Sequence, residues 1–236
     1  MNIDWVSAAW IYLVFVFSTT LHEAAHAWAA MKFGDDTARR GGQVSLNPMP
    51  HIRRSPFGMV LVPLLSLLTS AGGFMIGWAS TPYNPGWAMT FPRRSALMAL
   101  AGPASNLLLV LLASAGMMLC VKLGVMAVIA GPLAGGSIWQ VVGAPPGGLW
   151  PTVATLLSVL FSLNLLLGVL NLMPVPPFDG AALPLLVMSD ESARRFLVWR
   201  QRSGGGMSWI GLLIVYLFFW NIFGPVWRTA VGLLHF

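Results

Sequence analysis

The chain has 236 residues, of which 57% are apolar and only 8% charged, and its mean hydropathy is +0.76. A soluble domain carries roughly a quarter charged residues, so this composition excludes a water-soluble globular fold and puts most of the surface against lipid. The formal net charge of +6 comes from Lys and Arg gathered between apolar runs, with no basic groove interleaved with aromatics, which excludes a nucleic-acid partner.

The first apolar run predicts a span from about Trp5 to Met31, with Trp5 and Trp10 at headgroup level. Asp4 is the only charge before it, so it reads as a retained helix and not as a removable signal peptide. It ends at Lys32-Phe33-Gly34, and a polar stretch carries Asp35, Asp36, Arg39, Arg40, Arg53 and Arg54. The apolar segment Phe57 to Ala79 is interrupted by Pro63, Gly72, Gly73 and Gly77, which disfavour one uninterrupted helix. It reads as a re-entrant half-helix followed by an extended piece from Gly73 to Ser80, with a plain spanning helix as the alternative. A second span is expected from Ser95 to about Cys120, a Pro/Gly-marked loop around 132–148, and a third span from about Thr152 to Leu172. A Pro-rich turn, a short apolar piece, a basic stretch (Arg194 to Arg202) and a last span from Met207 to Leu233 complete the chain. The expected fold is an all-α polytopic membrane protein of about 4–6 transmembrane helices with a re-entrant segment near the site. It forms one membrane-embedded domain over 1–236, with a core of 5–189 and a C-terminal helix of 207–233.

The basic residues orient this scheme. With the N-terminus outside and 57–79 entering and leaving on one side, only Lys122 and Arg228 lie outside, as the positive-inside rule requires. The single cysteine, Cys120, permits neither an internal disulfide nor a Cys-based metal site.

Of the seven acidic residues, only Glu23 and Asp179 interrupt apolar surroundings. A charge at membrane depth costs about 2.5–3.5 kcal/mol even on the lenient insertion scale, so both are functional candidates by default. Glu23 lies in His22-Glu23-Ala24-Ala25-His26. On a helix His22 and His26 are one turn apart on one face, where both imidazoles reach a single ion, and Glu23 stands beside the first as a general base. Neutral imidazoles suit Zn²⁺, whose catalytic sites usually hold three protein ligands. A pair of packing histidines with a snorkelling glutamate is the bland alternative. His51 and His235 read as interfacial residues, which leaves Asp179, presented from a segment unwound by Pro174, Pro176 and Pro177. Asp179 also fits an N-cap for the segment Gly180 to Met188, and the two roles are compatible.

These motifs, with Gly102-Pro103-Ala104-Ser105-Asn106 and Asn171…Pro174…Asp179-Gly180 downstream, resemble the site-2 protease family of intramembrane metalloproteases. The likeness runs from about Phe17 to Gly180. It implies that His22, His26 and Asp179 hold Zn²⁺, that Glu23 is the base, and that Asn171 faces the substrate. An interhelical hydrogen bond is the other reading of Asn171, and close helix packing the preferred reading of Gly102 and Asn106. With no stretch suited to a PDZ or CBS domain, the sequence resembles the compact subgroup. The stretch Gly72 to Pro85 is similar to that subgroup's loop near the active site. The implied function is an intramembrane zinc endopeptidase of a bacterial inner membrane, with its site toward the cytoplasm. It would cut transmembrane or membrane-proximal protein substrates within the lipid bilayer. A metal-ion transporter and a catalytically silent scaffold are the rival classes; substrate identity and oligomeric state are not legible.

Overall fold

The computed structural model describes residues 5–70, 75–129 and 137–234. Helix α1, Trp5–Lys32, is apolar nearly all round, as expected of a helix bounded by lipid and protein. Ile11, Phe15, Ser18, His22 and His26 on one side are buried, whereas Leu13, Phe17 and Trp28 face outward. The buried side packs on α6, Pro92–Lys122, and α7, Trp150–Asn171, which also pack on each other. These three helices form the frame of the site.

Four helices are long and apolar enough to cross a membrane among the described residues: Trp5–Lys32, Pro92–Lys122, Trp150–Asn171 and Gly205–Gly232. The spans expected from the sequence are therefore present, each within a few residues. Short helices α2, Thr37–Arg40, and α3, Pro48–Arg54, follow α1. A π turn, Phe57–Leu61, then leads into the half-length helix α4, Val62–Thr69. The chain bends by 111° between α3 and this second segment, the geometry of a re-entrant loop or a broken span. Gly72 and Gly73 lie outside the described residues. From Met75 to Asn84 the chain is neither helix nor paired strand, and the Trp78 N–H donates to the Gly58 carbonyl at 2.9 Å.

Helix α5, Pro85–Thr90, is capped by Asn84, whose side chain accepts from the Gly86 and Trp87 N–H groups. Among the described residues, a short strand pair between α6 and α7 departs from an all-helical chain. There β1, Ala127–Val128, pairs antiparallel with β2, Val142–Gly143, and the Ser158 hydroxyl accepts from the Val141 and Val142 N–H groups at 3.1 Å. Two-residue strands leave no alternation for a sequence reading to detect.

After α7 the Pro-rich turn leads into a 3₁₀ segment, Asp179–Leu186, then α8, Asp190–Arg202, capped by Ser189. The last helix is α9, Gly204–Gly232. Its Gly211 lies so close to the Pro176 carbonyl that a Cβ could not be accommodated, which brings α9 against the segment presenting Asp179. Trp209, Leu213, Tyr216, Leu217 and Trp220 on α9 are exposed, a surface suited to lipid.

Candidate metal centre

The helical spacing of His22 and His26 places their rings edge to face, with centroids 4.6 Å apart and an interplanar angle of 85°. Their Nε2 atoms are 3.0 Å apart, and Asp179 Oδ2 stands 3.2 and 3.3 Å from them. Both histidines are buried, while the Asp179 side chain remains 23% exposed. Residues 157 and 153 positions away from the imidazoles thus meet at one point, because the proline turn ends α7 and re-aims the chain at α1.

The second ring nitrogens determine what this point can hold. His26 Nδ1 is 2.8 Å from the Met98 carbonyl, which only accepts, so Nδ1 carries the proton. The same logic runs through a buried amide relay to His22. Asn164 Nδ2 donates to the Leu160 carbonyl at 2.8 Å and to Ser18 Oγ at 2.9 Å, which orients its amide. Asn164 Oδ1 then accepts from Asn106 Nδ2 at 2.8 Å, so Asn106 Oδ1 faces His22 Nδ1, 2.6 Å away, and takes its proton. With both Nδ1 atoms donating, two neutral rings aim Nε2 lone pairs at each other and at a carboxylate. Asp179 Oδ2 correspondingly has no hydrogen-bond donor although it is buried. A bound cation relieves that arrangement, and two nitrogens with one oxygen suit a zinc site that keeps an open position.

Gly102 lets the helices approach this closely. A Cβ on it would lie 2.5 Å from His22 Nε2, 2.6 Å from His26 Cε1 and closer still to His26 Nε2. In the next position Pro103 removes the donor for the Ala99 carbonyl, loosening the turn whose Met98 carbonyl engages His26.

Glu23 is 5% exposed, and its Oε2 lies 2.7 Å from Thr81 Oγ1. A cavity of about 430 Å³ is lined by His22, Glu23, His26, Thr81, Asn171 and Asp179 among others. The side chain of Asn171, the last residue of α7, lines this cavity and has no protein hydrogen bond among the described residues. His51 is 1% exposed and bonded through Nε2 to the Ser45 carbonyl at 3.0 Å, so it is a packed residue of α3, outside the group formed by His22, His26 and Asp179. His235 lies outside the described residues. Among the described residues, His22, His26 and Asp179 are the one group of three or more such side chains that can hold a metal ion.

The polar strap that carries Thr81 is tied to the loop after α1. Asp35 is 4% exposed, and its carboxylate accepts from the Asn84 N–H at 2.7 Å, the Thr37 N–H at 3.0 Å and the Thr37 hydroxyl. Burial pushes its pKa up, but these donors and the nearby Arg40 outweigh it and hold the carboxyl below its usual value.

The sequence profile of peptidase family M50 matches residues 10–216. The chain belongs to that family, the site-2 proteases. It is 33% identical over 172 residues to YwhC of Bacillus subtilis (strain 168), a candidate zinc metalloprotease, covering 72% of this chain and 65% of that protein. It is likewise 33% identical over 177 residues to Rip2 of Mycobacterium tuberculosis, another candidate zinc metalloprotease, covering 75% of this chain and 54% of Rip2. The matched region thus spans between about half and two thirds of these relatives. No solved structure gives a significant match.

Three residues of the site were not assigned to it by sequence reasoning. The sequence alone marks Asn106 as a packing residue and gives no individual role to Asn164 or to Thr81, which lies within the stretch Gly72 to Pro85. An Asn in the middle of each of two apolar helices is the signal that could have paired Asn106 with Asn164.

Proposed function

We propose that this chain is an intramembrane zinc endopeptidase, one membrane-embedded domain that hydrolyses peptide bonds of transmembrane or membrane-proximal protein substrates. The observation that carries the reading is the convergence of His22 Nε2, His26 Nε2 and Asp179 Oδ2 within 3.0–3.3 Å at the wall of a cavity that Glu23 also lines. His22, His26 and Asp179 would hold Zn²⁺, which when bound would supply Lewis acidity to the scissile carbonyl and the attacking water.

The chain's own residues do the rest. Glu23 takes a proton from the attacking water and passes it to the leaving amine, so one carboxylate serves as base and then as acid. The Asn171 side-chain amide donates to the carbonyl oxygen as negative charge develops on it. A helical substrate keeps its scissile amide inside a hydrogen-bonded ladder, so it must unwind first. The extended segment ending at Ala79 offers backbone groups to the unwound stretch, which adds to it as a strand. The distribution of Lys and Arg supports an N-terminus outside and a site facing the cytoplasm, in a bacterial inner membrane.

Glu23→Gln tests the reading. The variant is expected to fold, to bind zinc, and to leave a co-expressed single-span substrate uncut, as judged by product bands and by metal analysis of the purified protein. Cleavage at the wild-type rate by that variant removes Glu23 from the mechanism. Cleavage by wild-type protein that is insensitive to a chelator, with no zinc bound, removes the metal.

A further inference from the structure

We infer that Thr81 is a positioning residue for the catalytic base: its hydroxyl holds one oxygen of the Glu23 carboxylate, so that the other receives the proton. The inference rests on Glu23 being that base. Thr81 Oγ1 is 2.7 Å from Glu23 Oε2 and 2.9 Å from the Glu23 backbone carbonyl. The hydroxyl has one proton to give. The Glu23 carbonyl lies within α1, where the N–H four residues on already serves it, whereas Oε2 has no other protein donor among the described residues. The proton therefore goes to the carboxylate. Oε1 has no protein partner among the described residues and belongs to a side chain that lines the cavity, so it is the oxygen open to water.

Thr81 is held for this task from both sides. The preceding Ser80 carbonyl accepts from Gln43 Nε2 at 3.2 Å, and the Asn84 N–H donates to Asp35 Oδ2 at 2.7 Å. Gln43 and Asp35 are 2% and 4% exposed, so both anchors are buried polar groups with their partners in place. Pro82 adds a local constraint, since a residue before proline is confined to extended backbone. The loop that follows the base's own helix thus returns to fix the strap that orients the base. A carboxylate without this donor keeps its place on α1 but loses its preferred rotation, and misorientation near the reacting atoms is costly in rate.

A mere tether between strap and helix makes a different prediction. It would be served by any side chain that packs, and its loss would lower stability without a selective effect on turnover. Thr81→Val retains the branched shape and removes only the hydroxyl, and Thr81→Ser retains the hydroxyl. The assay uses the purified full chain in detergent with fluorescently labelled casein, an unstructured polypeptide, alongside zinc content and thermal unfolding. For Thr81→Val, kcat is expected to fall about 10- to 100-fold while KM stays within about threefold, with zinc content and unfolding midpoint unchanged. Thr81→Ser is expected to recover kcat to within about threefold of wild type.

A Thr81→Val enzyme with wild-type kcat overturns the inference, as does a loss that Thr81→Ser shares equally or that tracks zinc content or unfolding. Glu23→Gln in the same assay separates the two readings. If it is inactive while Thr81→Val is fully active, only the role of Thr81 fails. If Glu23→Gln turns over normally, the base assignment itself fails.

Discussion

Replacing Gly102 by alanine tests the site geometry with one methyl group. On helix propensity alone the change is favourable by about 1 kcal/mol, because glycine is a poor helix former. The local geometry predicts the opposite, since the new Cβ would lie 2.5 Å from His22 Nε2 and 2.6 Å from His26 Cε1. Ordinary contact between such atoms needs about 3.5 Å, so rings or helices must separate by about 1 Å. Metal–ligand distances tolerate only about 0.2 Å, and overpacking a tight core costs about 1–3 kcal/mol. The imidazoles cannot retreat freely, because Asn106 and the Met98 carbonyl pin their far sides. Zinc affinity of Gly102→Ala, measured by competition with a chromogenic chelator, is therefore expected to drop by more than about 100-fold, beyond the 10- to 100-fold typical of losing an outer hydrogen bond. The unfolding midpoint of the zinc-free protein should fall as well. Wild-type zinc affinity in this variant would refute the claim that Gly102 sets the spacing of the ligands.

Two further outcomes follow from the polar partners. Asn106→Leu removes the acceptor for the His22 Nδ1 proton and the donor to Asn164, so zinc affinity by the same competition should fall about 10- to 100-fold. Stability should drop by about 1–3 kcal/mol for the buried amide left unpaired, read as a lower unfolding midpoint. Asp35, with its folded pKa held below the unfolded value of about 3.9, contributes stability that is complete above that value and is lost as pH falls through the folded one. Hydrogen exchange at the Asn84 amide should accordingly speed up below about pH 4, after correction for the intrinsic pH dependence. Asp35→Asn should speed it at neutral pH and flatten the acid response, and an unchanged acid response in that variant would remove Asp35 as its source.

Legibility in the sequence followed the physical range of each signal. The spans were readable because hydrocarbon demands about 20 apolar residues and admits few charges, a constraint that acts locally on the chain. The His22/His26 pair was readable because one helical turn is a local spacing, and Asp179 because a lone carboxylate in apolar surroundings calls for a partner. The amide relay was harder: Asn106 and Asn164 lie on different helices, and their pairing depends on how α6 packs against α7. The contacts of Met98 and Thr81 leave still less trace. A backbone carbonyl has no residue type, and a threonine in a loop is too common to mark a site. The two-residue strands around Val128 and Val142 fall below any periodicity.

The site divides between rigid and irregular parts in a way that bears on its chemistry. His22, Glu23 and His26 share one helix, and buried polar bonds from α6 and α7 orient the ring of His22 while a carbonyl of α6 orients that of His26. Two imidazoles fixed in this way form a half-site that needs no loop. In the proposed mechanism the third ligand and the partner of the base come from segments without regular helix, the proline turn before Asp179 and the strap around Thr81. Such irregular backbone is tolerated at membrane depth only where it is packed against protein or lines a cavity, and both segments meet that condition at the cavity wall. An uninterrupted bundle would leave no opening for water or an unwound peptide, whereas these segments supply polar groups and an opening together. In the proposed mechanism the prolines that break the helical pattern therefore belong to the site, because they let a carboxylate and a hydroxyl reach a helix that α6 and α7 hold in place.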